Sequence, residues 1–241
     1  MNSVLVVAHN EESTIADCLE SLGKQSRAPD EVVVIVHNST DRTEQIARSF
    51  PVTVIPYDGP AGSIYARMKG FESVSGDIVA CVDGDACASP EWLEGLVDTL
   101  RDPDVSLVGS RVMIHGTLTM RFASFRTFNV TYPLLALFGL RRLFFDVWGA
   151  GFAVRKADYE AIGGLAPLIH LHRSLGLSSS YWPDDFYLTL KLREKGRIAI
   201  ASRSKVTVAG KEQGEGEALA RAFHNQKSAR RMMRHLGIRP L

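Results

Sequence analysis

Apolar and polar positions alternate between two periods along the first hundred residues. Short runs rich in valine and isoleucine stand at 4–8, 32–36, 52–55 and 78–82. Between them, apolar residues recur at helical spacing: Ile15, Cys18, Leu19 and Leu22, then Ile46, Ala47 and Phe50, then Ile64, Met68 and Phe71. Continuous apolar strands separated by amphipathic helices predict a parallel sheet covered on both faces. A further helix is expected from Ser89-Pro90, with serine as N-cap and proline at the first helical position, burying Leu93, Leu96, Val97 and Leu100.

The second half has a different texture. A strand is predicted over 105–114, then a mixed aromatic and basic helical stretch over 120–145. The glycine-rich run Trp148-Gly149-Ala150-Gly151 leads into a short strand and Gly163-Gly164. Residues 170–180 show no clear period and read as a mobile loop. A helix over 185–195, a hairpin-like pair near 197–208 and a basic helix over 217–236 complete the pattern. Without a repeat or low-complexity linker, the pattern implies one domain over 1–241. Its parts are a nucleotide-handling half (1–102), an acceptor-side half (103–215) and a basic C-terminal helix (216–241).

Composition narrows the classes. The 241 residues suffice for one substantial core. A net charge of +1 gives no global field for nucleic acid, so no nucleic-acid partner is expected. From Arg221 onward, however, six Lys/Arg and no acid form a basic tail. Cys18, Cys81 and Cys87 have no metal-ligand spacing and an odd count, which points to a reducing, cytoplasmic setting. No basic region precedes a long apolar run at the start, and no stretch reaches the roughly 20 apolar residues that span a bilayer.

Two acidic motifs carry the candidate chemistry. Asp83-Gly84-Asp85 follows the strand at 78–82, and in open parallel sheets ligands gather at the carboxyl ends of strands. Two carboxylates around a glycine can hold a hard divalent cation, or can simply form a turn. Asp184-Asp185 stands at a predicted helix start, where acids serve as caps or, equally, as a general base. His170-Leu171-His172 is a weaker candidate for acceptor or metal contact. Asn129-Val130-Thr131 is a glycosylation sequon without meaning in a cytoplasmic chain.

Taken in order, these motifs resemble the family 2 glycosyltransferases of the GT-A fold. The resemblance rests on residues 6–12 (VVAHNEE), Ser39-Thr40-Asp41, Ala66-Arg67, Asp83-Gly84-Asp85 and Asp184-Asp185, and it runs from Ser3 to about Gly196. It implies a Rossmann-like, mostly parallel sheet and inverting sugar transfer from a nucleotide-diphosphate donor, a UDP- or GDP-sugar. On that likeness Ala8, Glu12, Asn38, Asp41, Arg67, Asp83 and Asp85 bind the donor nucleotide. Asp85 ligates Mg2+ or Mn2+, and Asp185 is the base. Trp148, Gly149 and Asp184 lie on the acceptor side. Apart from the likeness, Lys227 and Arg230 of the basic tail are candidates to fold over the donor phosphates, a solvated basic helix face being the competing reading.

The chain also departs from that pattern. Family members commonly carry acids just before the Ser-Thr-Asp, where this chain has Val36, His37 and Asn38. The Gln-x-x-Arg-Trp signature of processive synthases is missing, which argues for a non-processive enzyme. The glycine-free, acidic turn 8–12 speaks against a nucleotidyltransferase. The apolar stretch 134–145, with Arg141 and Arg142, suits an interfacial surface. Together with the basic tail it suggests peripheral membrane association and a lipid-linked acceptor; packing in a homodimer is the alternative.

Overall fold

The computed structural model describes residues 1–115, 147, 149–174 and 184–209. The expected helical stretch 120–145, Trp148, and the basic helix with Lys227 and Arg230 lie outside the described residues.

Among the described residues, eight strands form one mixed sheet. In chain order the elements are β1 (Asn2–Ala8), α1 (Ile15–Gly23), β2 (Glu31–His37), α2 (Thr43–Ala47), β3 (Thr53–Tyr57), α3 (Ser63–Ser73), β4 (Ile78–Asp83), β5 (Ala86–Ala88) and α4 (Trp92–Leu100). There follow β6 (Val105–His115), β7 (Gly151–Arg155), α5 (Lys156–Ala161), α6 (Ala166–Ser174), α7 (Asp184–Leu192) and β8 (Arg197–Ala209). The strand order is β3-β2-β1-β4-β7-β6-β8-β5. Pairing is parallel from β3 through β4 and again between β6 and β8. It is antiparallel where β7 joins β4 and β6, and where β5 joins β8. The sheet therefore passes without interruption from the first half of the chain into the second.

The period-2 alternation of β1 explains why both faces are covered. Val4, Val6 and Ala8 pack with Ile15, Cys18 and Leu19 of α1 and Leu93 and Leu96 of α4. Leu5 and Val7 point the other way, against Ile64 and Phe71 of α3 and Tyr187 and Leu188 of α7. The strand is buried almost throughout because helices stand on each side. At roughly 1.5–3 kcal/mol per fully buried large aliphatic side chain, this double burial is what specifies the central strand.

Three expectations need correction. Residues 197–208 are not a hairpin-like pair but one strand, whose two parts both run parallel to β6. The register jumps from Gly109 opposite Ile200 to Arg111 opposite Lys205, leaving a bulge between. Ser204 in that bulge is buried and donates to the Trp92 carbonyl at 2.8 Å, so the polar interruption is an anchor, not a turn. Residues 170–174 belong to α6, because Leu165 and Leu168 are buried, with Ile169 and Leu171 packed against the same core. The remainder of the expected loop falls outside the described residues. Ser89 does not cap α4, which begins at Trp92; the Ser89 hydroxyl instead accepts from the Lys205 N–H at 3.3 Å.

Candidate active site

The Asp83-Gly84-Asp85 turn sits at the carboxyl end of β4, beside the end of β1. Its glycine is required by close approach. A Cβ at Gly84 would lie 3.0 Å from the Ala8 Cβ and 3.3 Å from the Ala8 Cα. The Gly84 N–H donates to the Val7 carbonyl at 2.8 Å, which presses the turn onto β1. Ala8 is thus the buried floor under the turn, and Asp83 and Asp85 are held on either side of it, both half-buried. The Asp85 carbonyl accepts from the Ala209 N–H at 2.9 Å, tying the turn to the end of β8.

Arg67 joins this turn to the second acidic motif, a hundred residues away in the chain. The α3 helix delivers its guanidinium into the interior, where the side chain is 3% exposed. It donates to Asp184 Oδ2, to Asp83 Oδ1 at 3.1 Å and to the Gly149 carbonyl at 3.4 Å. The Phe152 ring lies beneath it, 5.5 Å from Cζ. Burial opposes its charge, but Asp184 and then Asp83 outweigh that and hold its pKa above the ordinary value.

Asp184 and Asp185 open α7, so the positive end of the helix favours their charge. Asp185 Oδ2 accepts from the Gly149 N–H at 3.0 Å, and Oδ1 from the Phe186 N–H at 2.7 Å. Burial, reinforced by the neighbouring charge of Asp184, nonetheless pushes the Asp185 carboxyl up to about 7. Burial also raises Asp83, against the pull of Arg67. A carboxyl that titrates near neutrality, held by two backbone N–H groups, is poised for proton transfer.

The rim over β1, β2 and β3 is tied together by short polar links. Asp41 Oδ2 accepts from the Glu12 N–H at 3.0 Å, and Oδ1 accepts from the Thr43 N–H at 3.0 Å and from its hydroxyl. Burial alone would raise Asp41, but these bonds, led by those from Thr43, lower its pKa. Glu12 Oε2 in turn accepts from Arg42 Nε and from its backbone N–H, each at 3.2 Å. Glu12 and Asp41 therefore fasten the β1–α1 and β2–α2 loops to each other. Asn10 and Asn38 adopt left-handed backbone, with φ of 53° and 48°. Asn38 bonds the Gly59 peptide, and His37 stacks on Tyr57 with ring centroids 5.6 Å apart.

The structure thus gathers Arg67, Asp83, Asp184, Asp185 and Gly149 at one point, with Asp85 beside them on the same turn. Ala8, Glu12, Asn38 and Asp41 lie along the adjoining rim. Trp148, Lys227 and Arg230 are outside the described residues. Sequence reasoning passed over His9, Tyr57, Thr43 and the Gly59-Pro60 turn. Only that last dipeptide carried a signal, as turn chemistry between a strand and a helix.

The profile of Glycosyl transferase family 2 matches residues 3–163, two thirds of the chain. The chain belongs to that family, and its fold is GT-A. Among curated relatives, Glycosyltransferase AglE of Haloferax volcanii is 35% identical over 134 residues, covering 51% of this chain and 44% of the relative. A glucosyl-dolichyl phosphate glucuronosyltransferase of the same organism is 34% identical over 118 residues, covering 46% and 38%. The match spans under half the length of either relative. A Mycobacterium tuberculosis glucosyl-3-phosphoglycerate synthase, solved with Mn2+, UDP and phosphoglyceric acid, aligns over all of this chain and 80% of its own, with a TM-score of 0.61 at 20% identity.

Proposed function

We propose that the chain is an inverting, non-processive glycosyltransferase that moves a sugar from a nucleoside-diphosphate donor to a hydroxyl or phosphate of an acceptor. The observation that carries this reading is the convergence on Arg67: one buried cation binds the Asp83-Gly84-Asp85 turn and the Asp184-Asp185 pair at once. This supports reading the first motif as the donor side and Asp185 as the base, since the two acidic motifs are held against one another by the same side chain.

In the transfer, Asp185 takes the proton from the acceptor oxygen as that oxygen bonds the anomeric carbon of the sugar. The bond from that carbon to the diphosphate breaks on the opposite face, and the nucleoside diphosphate leaves with its electron pair. The configuration at the anomeric carbon is inverted, and one base suffices. Gly149 and the α7 amide of Phe186 hold the Asp185 carboxylate in place. Arg67 keeps Asp184 ion-paired beside it.

Among the described residues, no three His, Cys, Asp or Glu side chains are grouped to hold a metal by themselves. A single carboxylate from Asp85, completed by phosphate oxygens and water, suits Mg2+ or Mn2+, which take oxygen ligands and tolerate an incomplete protein cage. Such an ion would offset the charge of the leaving diphosphate by Lewis-acid stabilisation. Lys227 and Arg230 are proposed to contribute to the same end. The names of the relatives add support: the synthase was solved with UDP and Mn2+, and one curated relative acts on a dolichyl phosphate-linked sugar.

A lipid-linked acceptor fits the apolar stretch 134–145 and the cationic tail, which together suit peripheral attachment at the cytoplasmic face of a membrane. Among the described residues no helix is long and apolar enough to cross a membrane. The test is nucleoside diphosphate release from a panel of UDP- and GDP-sugars with Mn2+, against phosphorylated and lipid-linked acceptors. Product anomers would be read by NMR. Transfer with inversion is expected; a retained configuration would rule out the single-base mechanism.

A further inference from the structure

Accepting that the site binds a nucleoside diphosphate, the diphosphate end belongs at β4 and β1, where Asp83 and Asp85 stand. The nucleoside must then extend along the carboxyl ends of β1, β2 and β3. We take that rim to be bounded by residues 58–62, the connection from β3 to α3, which the His37 ring and Asn38 tie to the end of β2.

Asn38 makes the paired part of that attachment. Its Nδ2 donates to the Gly59 carbonyl at 3.0 Å, and its Oδ1 accepts from the Gly59 N–H at 3.2 Å. A carboxamide matches a peptide group in this way because each has one donor edge and one acceptor edge. The backbone at Asn38 is left-handed, which asparagine tolerates better than most residues, and its N–H reaches the Tyr57 carbonyl at 3.2 Å. Gly59 is required as well, since a Cβ there would stand 2.3 Å from the Tyr57 ring. Tyr57 stacks on the buried His37, whose Nε2 lies 3.0 Å from the Pro60 carbonyl. The His37 carbonyl in turn lies 2.7 Å from His9 Nδ1, so the unit is continuous with the end of β1.

We infer that Asn38 is a positioning residue for the nucleoside of the donor: with its carboxamide paired to both sides of the Gly59 peptide and its Nδ2 also 3.1 Å from His37 Nε2, it helps set the 58–62 wall and does not itself read the base. Discrimination between bases then comes from the wall, not from a side chain at 38. An acid at this position could accept from the Gly59 N–H but would turn its second oxygen toward the Gly59 carbonyl. The clasp needs the amide.

The test is Asn38→Asp in the full chain, with binding of UDP, GDP and inorganic pyrophosphate measured by calorimetry in Mn2+. Loss of one hydrogen bond and release of the wall should weaken UDP and GDP together by about tenfold, leaving their ratio unchanged. Pyrophosphate, which has no nucleoside, should bind as it does to the wild type, whereas a general loss of folding would weaken all three. Gly59→Ala, which displaces the wall from the other side of the clasp and leaves the Asn38 side chain itself unchanged, should give the same pattern. A changed UDP-to-GDP ratio in Asn38→Asp would overturn the inference by making Asn38 a reader of the base. Equal loss of pyrophosphate and UDP in a variant whose urea midpoint matches the wild type would overturn it too. Failure of the wild type to bind either nucleotide would instead bring down the donor reading beneath it.

Discussion

Replacing Asp185 with asparagine separates its contribution to chemistry from its effect on stability. The folded carboxyl titrates near 7, against an ordinary value of 3.8, chiefly through burial and then through the charge of Asp184. Because the folded value lies above the unfolded one, the stability associated with the group is fully present below about pH 4. It is lost as pH rises through 7. The gap between the two values sets an upper bound of about 4 kcal/mol above pH 7, reduced by solvent at the half-buried carboxylate. Asparagine removes the charge but offers one acceptor to two N–H groups, those of Gly149 and Phe186. Leaving one unmet costs about 1–3 kcal/mol. At pH 5, where the wild type has lost only a fraction of the bound, Asp185→Asn should be no more stable than wild type. At pH 8 it should be more stable by about 1–2 kcal/mol. Urea unfolding at both pH values, with the slope against denaturant unchanged, measures the difference. Turnover should fall roughly 10²–10⁴-fold, the size of a lost general base. A variant equally destabilised at pH 5 and pH 8 would refute the raised pKa, and near-wild-type turnover would leave Asp185 as a helix cap only.

Other perturbations follow from the same geometry. Arg67→Met strands the Asp184 carboxylate, which is 6% exposed, and should destabilise the fold by about 3–5 kcal/mol, read from the urea midpoint. Gly84→Ala forces the turn off Ala8 and should cost about 1–3 kcal/mol while weakening donor binding, which calorimetry would show. Turnover at saturating donor should rise with pH through about 7 as Asp185 loses its proton, a rise that Asp185→Asn should abolish in a pH–rate profile. Co-sedimentation with anionic vesicles should succeed at low salt and fail at high salt if the 134–145 stretch and the basic tail hold the protein at a membrane.

The parallel half of the fold was legible because β1, β2 and β4 are buried on both faces. Runs such as Val4 to Ala8 then announce themselves by composition alone. The helix period of α1 named its four buried residues, and that of α3 named Ile64 and Phe71, with Met68 only partly buried. What escaped depends on partners far away in sequence. The bulge in β8 looks like a turn until Ser204 finds the Trp92 carbonyl. The α6 helix hides behind histidines until Leu165 and Leu168 meet the core. At the site, Asp83, Asp85, Asp184 and Asp185 were recognisable as motifs, but their union through Arg67 is a tertiary fact. Glu12 and Asp41 could be singled out as polar residues of the right loops. That they bond each other's loop could not be read from spacing.

On the proposed function, the site around Arg67 binds a nucleoside diphosphate through a cation held by Asp85. Calorimetric titration of the wild-type chain with UDP and with GDP, in Mn2+ and then with chelator, tests it directly. The account predicts binding of at least one nucleotide in Mn2+, lost on chelation and lost in Asp85→Ala with unfolding unchanged. Affinity that is the same in chelator as in Mn2+, or the same in Asp85→Ala as in the wild type, would contradict it.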